Sequence, residues 1–464
     1  MTSLARSVRR APHRDRPVDF GAFVRRAGGE GGLVVQPRMG FGEPAPMRAG
    51  LAATKAADAT TVGTITLDSF TRVGALQSVE EALRHGVALN GYPIVNYGTE
   101  VTDAVLDGIR DDFFPVQVRH GSAVPGDIFD RLIELRINAT EGGPVSYCLP
   151  YGRTPLADSI RNWAECTERF STLRAVGIEP HLETFGGCMM GQLCPPSMLV
   201  ALSVLEAMFF CCYGVRSVSL SYAQQTSMSQ DIEAVFALRR LAAEMLPTDN
   251  WHVVIYAYMG VYPMTDHGAY GLLGQGAELA VRTGSERIIV KTVAESRRIP
   301  TIEENVAALE YAGQVARGGR RPATDTTDGD SQTYQEARAL IDAVLNLDLD
   351  LSRALLLAFR RGYLDIPYCL HPDNRGHARS YIDGAGRLRW ADIGSLPLTG
   401  LVKGGHSRRV TSSGLLADLS YVRRKFDESP PEVLGSTERQ RATAWDARTS
   451  LQGPTKDGAR AHEN

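Results

Sequence analysis

The chain has almost no surplus of charge of either sign. Its 464 residues carry 50 Lys and Arg against 53 Asp and Glu, a formal net charge of −3. That removes the electrostatic argument for a nucleic-acid or anionic-membrane partner. Seven cysteines (148, 166, 188, 194, 211, 212, 369) include no Cys-x-x-Cys pair. An odd count in so large a chain argues for free thiols in a reducing cytoplasm, not a disulfide framework. Cys188 and Cys194 flank a Met-bearing loop without His or acid at ligand spacing, so no metal site is expected there. The basic start (Arg6, Arg9, Arg10, Arg14, Arg16) has no apolar stretch behind it, which excludes a secretory signal. The most membrane-like stretch, 198–215, contains Glu206 and runs straight into a strand-like segment, so a buried helix is expected. Gly-Gly-Glu-Gly-Gly at 28–32 precedes a strand instead of following one and is no dinucleotide fingerprint. No repeat of solenoid period is present.

What the chain does have is alternation. Short Val-, Ile-, Thr- and Leu-rich runs fall at 33–38, 62–68, 93–97, 116–119, 179–185, 217–222, 252–258 and 287–292. Segments of helical periodicity lie between most of them, at 79–89, 101–112, 128–137, 159–175, 228–245 and 269–283. The runs are short and nearly continuous, as in parallel strands covered on both faces. Eight of them fit an α/β fold of the (β/α)8 TIM-barrel type, with a doubly wound open sheet as the alternative. Residues 1–30 are expected to be a mobile basic arm and 31–320 the barrel. Residues 321–425 would form a C-terminal helical and β-hairpin extension, the hairpin at 380–390, and 426–464 a polar tail.

Barrel enzymes build their sites where strand C-termini meet the following loops. Here Arg38 ends the first run, Arg72 follows the second, and Arg119 and His120 are expected to end the fourth strand. Glu183, Tyr222, Tyr258 and Lys291 close the fifth to eighth. A single strand-end arginine usually caps carbonyls or pairs with an acid. Three on one face repel one another unless an anion joins them, which points to a dicarboxylate or phosphorylated ligand. Glu141, expected in a loop with Tyr147 and Tyr151, suits a ligand ammonium. Lys291 could form a Schiff base if burial lowers its pKa, donate hydrogen bonds to a ligand, or pair with Glu295.

The order of short motifs resembles the large (epsilon) subunit of glutamate mutase, also called methylaspartate mutase. The motifs are Gln36-Pro-Arg38, Asp68-Ser-Phe-Thr-Arg72, Asn96-Tyr-Gly98, Arg119-His-Gly121, Glu141-Gly-Gly143, Ser146-Tyr147 and Pro150-Tyr151. Pro195-Pro-Ser197, Gln230-Asp-Ile232, Met259-Gly260, Val290-Lys-Thr292 and Asp365-Ile-Pro367 continue the series, which covers residues 31 to 425. The resemblance implies a (β/α)8 barrel and radical interconversion of L-glutamate and 3-methylaspartate with adenosylcobalamin. It implies that Arg38, Arg72 and Arg119 hold substrate carboxylates, with Glu141 the catalytic group and His120, Tyr147 and Tyr151 around the substrate. Lys291 and Glu295 would contact the adenosyl group.

The cobalt-ligating Asp-x-His-x-x-Gly motif is missing, because none of the ten histidines has Asp two places before it. The resemblance therefore implies a separate small cobalamin-binding subunit that carries the motif, in a heterotetramer. Three loops depart from the family pattern. Residues 185–196 are one residue longer. Ser221-Tyr-Ala-Gln-Gln-Thr-Ser replaces Gly-Tyr-Gly-Glu-Cys-Gly-Asn, and Tyr256-Ala-Tyr-Met-Gly replaces His-Gln-Trp-Met-Gly. Alternatives at this point are a cobalamin mutase for another acidic amino acid, a Schiff-base lyase using Lys291, and a non-catalytic scaffold.

Overall fold

A computed structural model describes residues 19–29, 32–150, 152–189, 193–319, 330–402 and 410–428. Eight parallel strands form its centre: β1 (Val34–Gln36), β2 (Gly63–Thr66), β3 (Val116–Arg119), β4 (Ala139–Gly142), β5 (His181–Thr184), β6 (Ser217–Ala223), β7 (Trp251–Tyr256) and β8 (Arg287–Ile289). From β2 to β8 each strand pairs with the next, and β8 pairs with β1. The remaining seam closes through a parallel bridge between Val35 and Thr61, with the Val35 N–H donating to the Thr60 carbonyl at 2.9 Å. Closure leaves no unpaired edge and gives the expected (β/α)8 barrel.

Two strand assignments change. Residues 93–97 are not a strand: Pro93 brings no N–H to a ladder, and only Tyr92 makes a bridge, to Leu67. The missing strand is β4, whose Ala-Thr-Glu-Gly reads as loop because its charged residue faces the barrel interior. Arg119 therefore ends the third strand, and Glu141 lies in a strand.

Part of the expected mobile arm, residues 20–29, is a helix. The helix Phe20–Gly29 buries Phe20, Phe23 and Val24 across the bottom of the barrel, with the Phe20 ring 5.1 Å from the His181 ring. The rest of the expected arm, 1–18, and most of the tail, 429–464, lie outside the described residues.

The membrane-like stretch is the helix Pro196–Cys212, buried nearly all round. One side lies on the barrel, and the extension helix Gln332–Leu345 covers another. Among the described residues no helix is long and apolar enough to cross a membrane. The extension ends in the expected hairpin, β9 (Arg379–Ile382) and β10 (Leu388–Asp392), followed by the helices Ser412–Leu419 and Tyr421–Asp427. The last of these runs past residue 426 and buries Phe426, so the ordered extension passes the expected boundary.

This extension braces the barrel mouth. The Leu388 N–H donates to Gln230 Oε1 at 2.8 Å and the Gln230 amide returns a bond to the Leu388 carbonyl at 2.9 Å. Thr226 Oγ donates to the Gly386 carbonyl at 2.6 Å. Asp427 accepts the N–H groups of Met264 and Thr265 at 3.0 and 2.9 Å. The loops after β6 and β7 are thereby fixed from outside the barrel.

Candidate functional site at the barrel mouth

At the same register in a parallel ladder, side chains of neighbouring strands share a face. Glu141 on β4 and Glu183 on β5 are such a pair, both buried and pointing into the barrel. Two bare carboxylates side by side in a dry core would be prohibitive, so each is supplied with donors. Glu183 accepts from Arg287, fully buried on β8, from Ser219 Oγ at 3.0 Å and from Gln117 Nε2 at 3.3 Å. Gln36 links this layer to Gln117 at 2.7 Å and to Thr64 at 2.8 Å. Glu141 accepts from Arg119 Nε at 2.6 Å, from Tyr256 OH at 2.6 Å and from Tyr147 OH. The Arg119 guanidinium also lies 5.2 Å from the centre of the Tyr256 ring, a cation–π contact.

Arg38 and Lys291 meet on Glu295, at 2.9 and 2.8 Å. Burial pushes the Lys291 ammonium down to about 8, with Glu295 partly offsetting this and Arg38 and Arg119 adding to it. For Glu295 burial alone would act upward, but Lys291 and Arg38 outweigh it and hold the carboxyl at about 2. Near Lys291 two buried hydroxyls, Tyr262 OH and Ser296 Oγ, lack hydrogen-bond partners among the described residues. Such atoms call for a polar ligand or water.

Arg72 closes the short helix Ser69–Arg72, which Asp68 caps by accepting from the Phe70 and Thr71 N–H groups at 2.9 Å. Its side chain crosses Gly121, where a Cβ would come within 3.0 Å of Arg72 Cδ. The cation sits beside His120, whose imidazole is pushed down to about 3 by burial and then by Arg72. His120 Nδ1 accepts the Ser122 N–H at 3.2 Å, which assigns the proton of the neutral ring to Nε2. Nε2–H is buried without a partner among the described residues, a donor waiting for an acceptor.

The structure therefore brings Arg38, Arg119, Glu141, Lys291 and Glu295 into one field and sets Arg72 with His120 on the neighbouring strand end. Four cations face two anions, and the surplus of two positive charges suits an anion better than a neutral ligand. Arg119 is nevertheless not a bare jaw, because Glu141 already pairs with it. Tyr147 joins the cluster, and Tyr151 lies outside the described residues. Tyr222 does not join: its hydroxyl donates to Asp231 at 2.8 Å, on the helix Met228–Met245. Tyr258 packs with Tyr262, Leu272 and Phe426 in a satellite apolar cluster. No group of three or more His, Cys, Asp or Glu suited to a metal occurs among the described residues.

Two positioning residues escaped the sequence reading. Arg287 looked like the start of an apolar run. Glu206 looked like an oddity in an apolar helix, yet it accepts from Ser146 N and Oγ at 2.9 Å and from Gly186 N at 2.7 Å. It thus ties the loop that carries Tyr147 to the loop after β5. Gly143 is needed beside it, because a Cβ there would come within 2.0 Å of Glu206 Oε1. The carboxylate inside an apolar run was the available signal.

A family model described as methylaspartate mutase E chain matches residues 16–418. The chain belongs to that family. Among its curated relatives, the glutamate mutase epsilon subunit of Yersinia enterocolitica is 30% identical over 349 residues, 72% of each chain. That of Halobacterium salinarum is 31% identical over 356 residues, 74% of each, and that of Desulfitobacterium hafniense 30% over 365 residues, 75% of each. Within this methylaspartate mutase E chain fold, the sequence departures fall on the mouth loops that the extension braces. Tyr256, the last residue of β7 and the first of one departure, reaches the carboxylates at the centre of the site.

Proposed function

We propose that this chain is the large subunit of an adenosylcobalamin-dependent glutamate mutase, an isomerase that interconverts L-glutamate and 3-methylaspartate in the cytoplasm. The observation that carries the reading is the charge pattern at the mouth. Arg119 pairs with the buried Glu141, Arg38 reaches Glu295, and Arg72 sits beside His120, whose Nε2–H has no partner among the described residues. An amino dicarboxylate complements that pattern, its carboxylates against the guanidiniums and its ammonium against Glu141.

The adenosyl group fits the Lys291 side of the mouth, where Lys291, Glu295 and the unpartnered hydroxyls of Tyr262 and Ser296 could take its ribose. When bound, adenosylcobalamin supplies an organic radical able to remove a hydrogen atom from the substrate. The protein's share is to hold both ends of the amino acid, so that substrate fragments stay in place and water stays out. Arg38 belongs to both halves: a substrate carboxylate that engages it competes with Glu295. Cobalt ligation falls to a small partner subunit carrying Asp-x-His-x-x-Gly, docked on the mouth in a heterotetramer.

Reconstitution tests this. The chain alone is expected to be inactive. With a cobalamin-binding small subunit, adenosylcobalamin and L-glutamate, it should give a paramagnetic resonance signal and 3-methylaspartate. A stable complex that yields neither with L-glutamate would refute it, and turnover of another acidic amino acid would move the substrate. Burial of Lys291 and its lowered pKa favour one second reading, a Schiff-base lyase. Borohydride trapping of a carbonyl substrate on Lys291 would reveal it.

A further inference from the structure

Tyr256 OH lies within hydrogen-bond distance of two carboxylates at once, Glu141 Oε2 at 2.6 Å and Glu183 Oε1. A phenol has one proton and can donate to only one of them. Ionisation of the phenol would worsen the conflict, and burial beside Glu141 and Glu183 holds its pKa well above the ordinary value. With both carboxylates ionised, the second contact would set two oxygen lone pairs against each other in a water-free core. One more proton resolves it.

We propose that Glu141, Tyr256 and Glu183 form a proton-sharing triad, with the extra proton seated on Glu183 Oε1 in the ligand-free chain. Tyr256 is then a positioning residue that keeps Glu141 anionic. The placement follows from the donors already present. Glu141 accepts from Arg119 on Oε2 and from Tyr147 on Oε1, and Tyr256 adds a third donor. On Glu183, Arg287, Ser219 and Gln117 all address Oε2, which among the described residues leaves Oε1 to Tyr256. The proton on Glu183 Oε1 donates to the phenol oxygen, and the phenol proton donates to Glu141. The extra proton, taken from solvent, makes one O–H bond at Glu183 Oε1; no other covalent bond changes, and the three groups together carry one negative charge instead of two. Cys188, in the loop after β5, is the remaining titratable group facing Tyr256, and burial pushes its thiol up, so it stays neutral.

This deepens the proposed function, because an anionic Glu141 is what a substrate ammonium needs. It also gives the tyrosine that departs from the family's histidine a role of its own. The proton count is read without substrate, so it can fail while the mutase reading holds, and the reverse.

The test is infrared spectroscopy of the full-length ligand-free chain at neutral pH, in H2O and D2O. Glu206 and Asp231 are also held near neutrality by burial, so Glu206→Gln and Asp231→Asn identify their carboxylic-acid bands. One further deuterium-sensitive carboxylic-acid band is expected, and it should vanish in both Tyr256→Phe and Glu183→Gln. Absence of that band from the wild-type chain, or its survival in either variant, overturns the triad. If one variant does not fold, the other decides.

Discussion

Arg38 and Arg119 are both arginines at strand ends facing the same ligand space, yet their surroundings give them different duties. Arg119 and Glu141 are 4% and 2% exposed, so removal of either leaves an unpaired charge in the core. Arg119→Ala should lower unfolding stability by about 3–5 kcal/mol, read in urea, as well as abolish turnover. Arg38 is 33% exposed and pairs with a Glu295 that Lys291 also serves. Its loss should cost under about 1 kcal/mol of stability. For the proposed mutase, Arg38→Ala should instead raise KM for L-glutamate at least about tenfold, the loss of one charge-assisted bond. Equal stability losses in the two variants would contradict this division. The three arginines themselves were legible in the sequence, because Gln-Pro-Arg and Val-Arg-His close apolar runs. Their partners were not: Glu141 and Arg119 are 22 residues apart, and Glu295 lies 257 residues from Arg38. Pairing of β3 with β4 joins the first pair, and closure of β8 onto β1 joins the second.

At the level of elements, the same physics explains what could be read and what could not. Helices and most strands follow from periodicity, since their outer faces pack apolar side chains as the pattern requires. Residues 93–97 have the composition of a strand but form none, because Pro93 cannot donate, and the bridge beside them is at Tyr92. β4 has the composition of a loop, but its Glu141 is received by Arg119 and two phenols. A polar barrel interior reverses the usual rule at the one strand that carries the catalytic candidate. Glu206 shows the same reversal in a helix. Replacing it with Gln would turn one acceptor into a donor facing other donors, so Glu206→Gln should cost about 1–3 kcal/mol. It should also loosen the loop that presents Tyr147. A melting curve checks the first effect. Gly143→Ala should act on the same clamp by steric displacement of Glu206, and the double variant should cost less than the two single ones combined.

Over the whole molecule, buried ionisable groups of two kinds set the response to acid. His120, His181 and His252 are neutral in the fold, with pKa values pushed down by burial and then by neighbouring arginines, Arg72 for the first and Arg287 for the other two. Their unfolded value is about 6.5. Below that pH the unfolded chain binds protons that the fold refuses, so these three favour unfolding as pH falls. Glu206 and Asp231 act in the opposite sense. Burial raises both to about 7 against the donors that hold them, so from about pH 7 down to 5 the fold binds protons that the unfolded chain does not. Three protons taken up on unfolding stand against two released by this pair and one released by the proposed triad. The net is about zero, so stability should be nearly flat between about pH 6 and 5. Urea titrations at half-unit intervals would read this slope. Combining Asp231→Asn with Glu206→Gln removes two of the three opposing protons, and stability should then fall by about 2.7 kcal/mol per unit over the same range, even though the starting stability is lower. An unchanged slope in that variant would mean that Glu206 and Asp231 do not hold protons in the fold over this range.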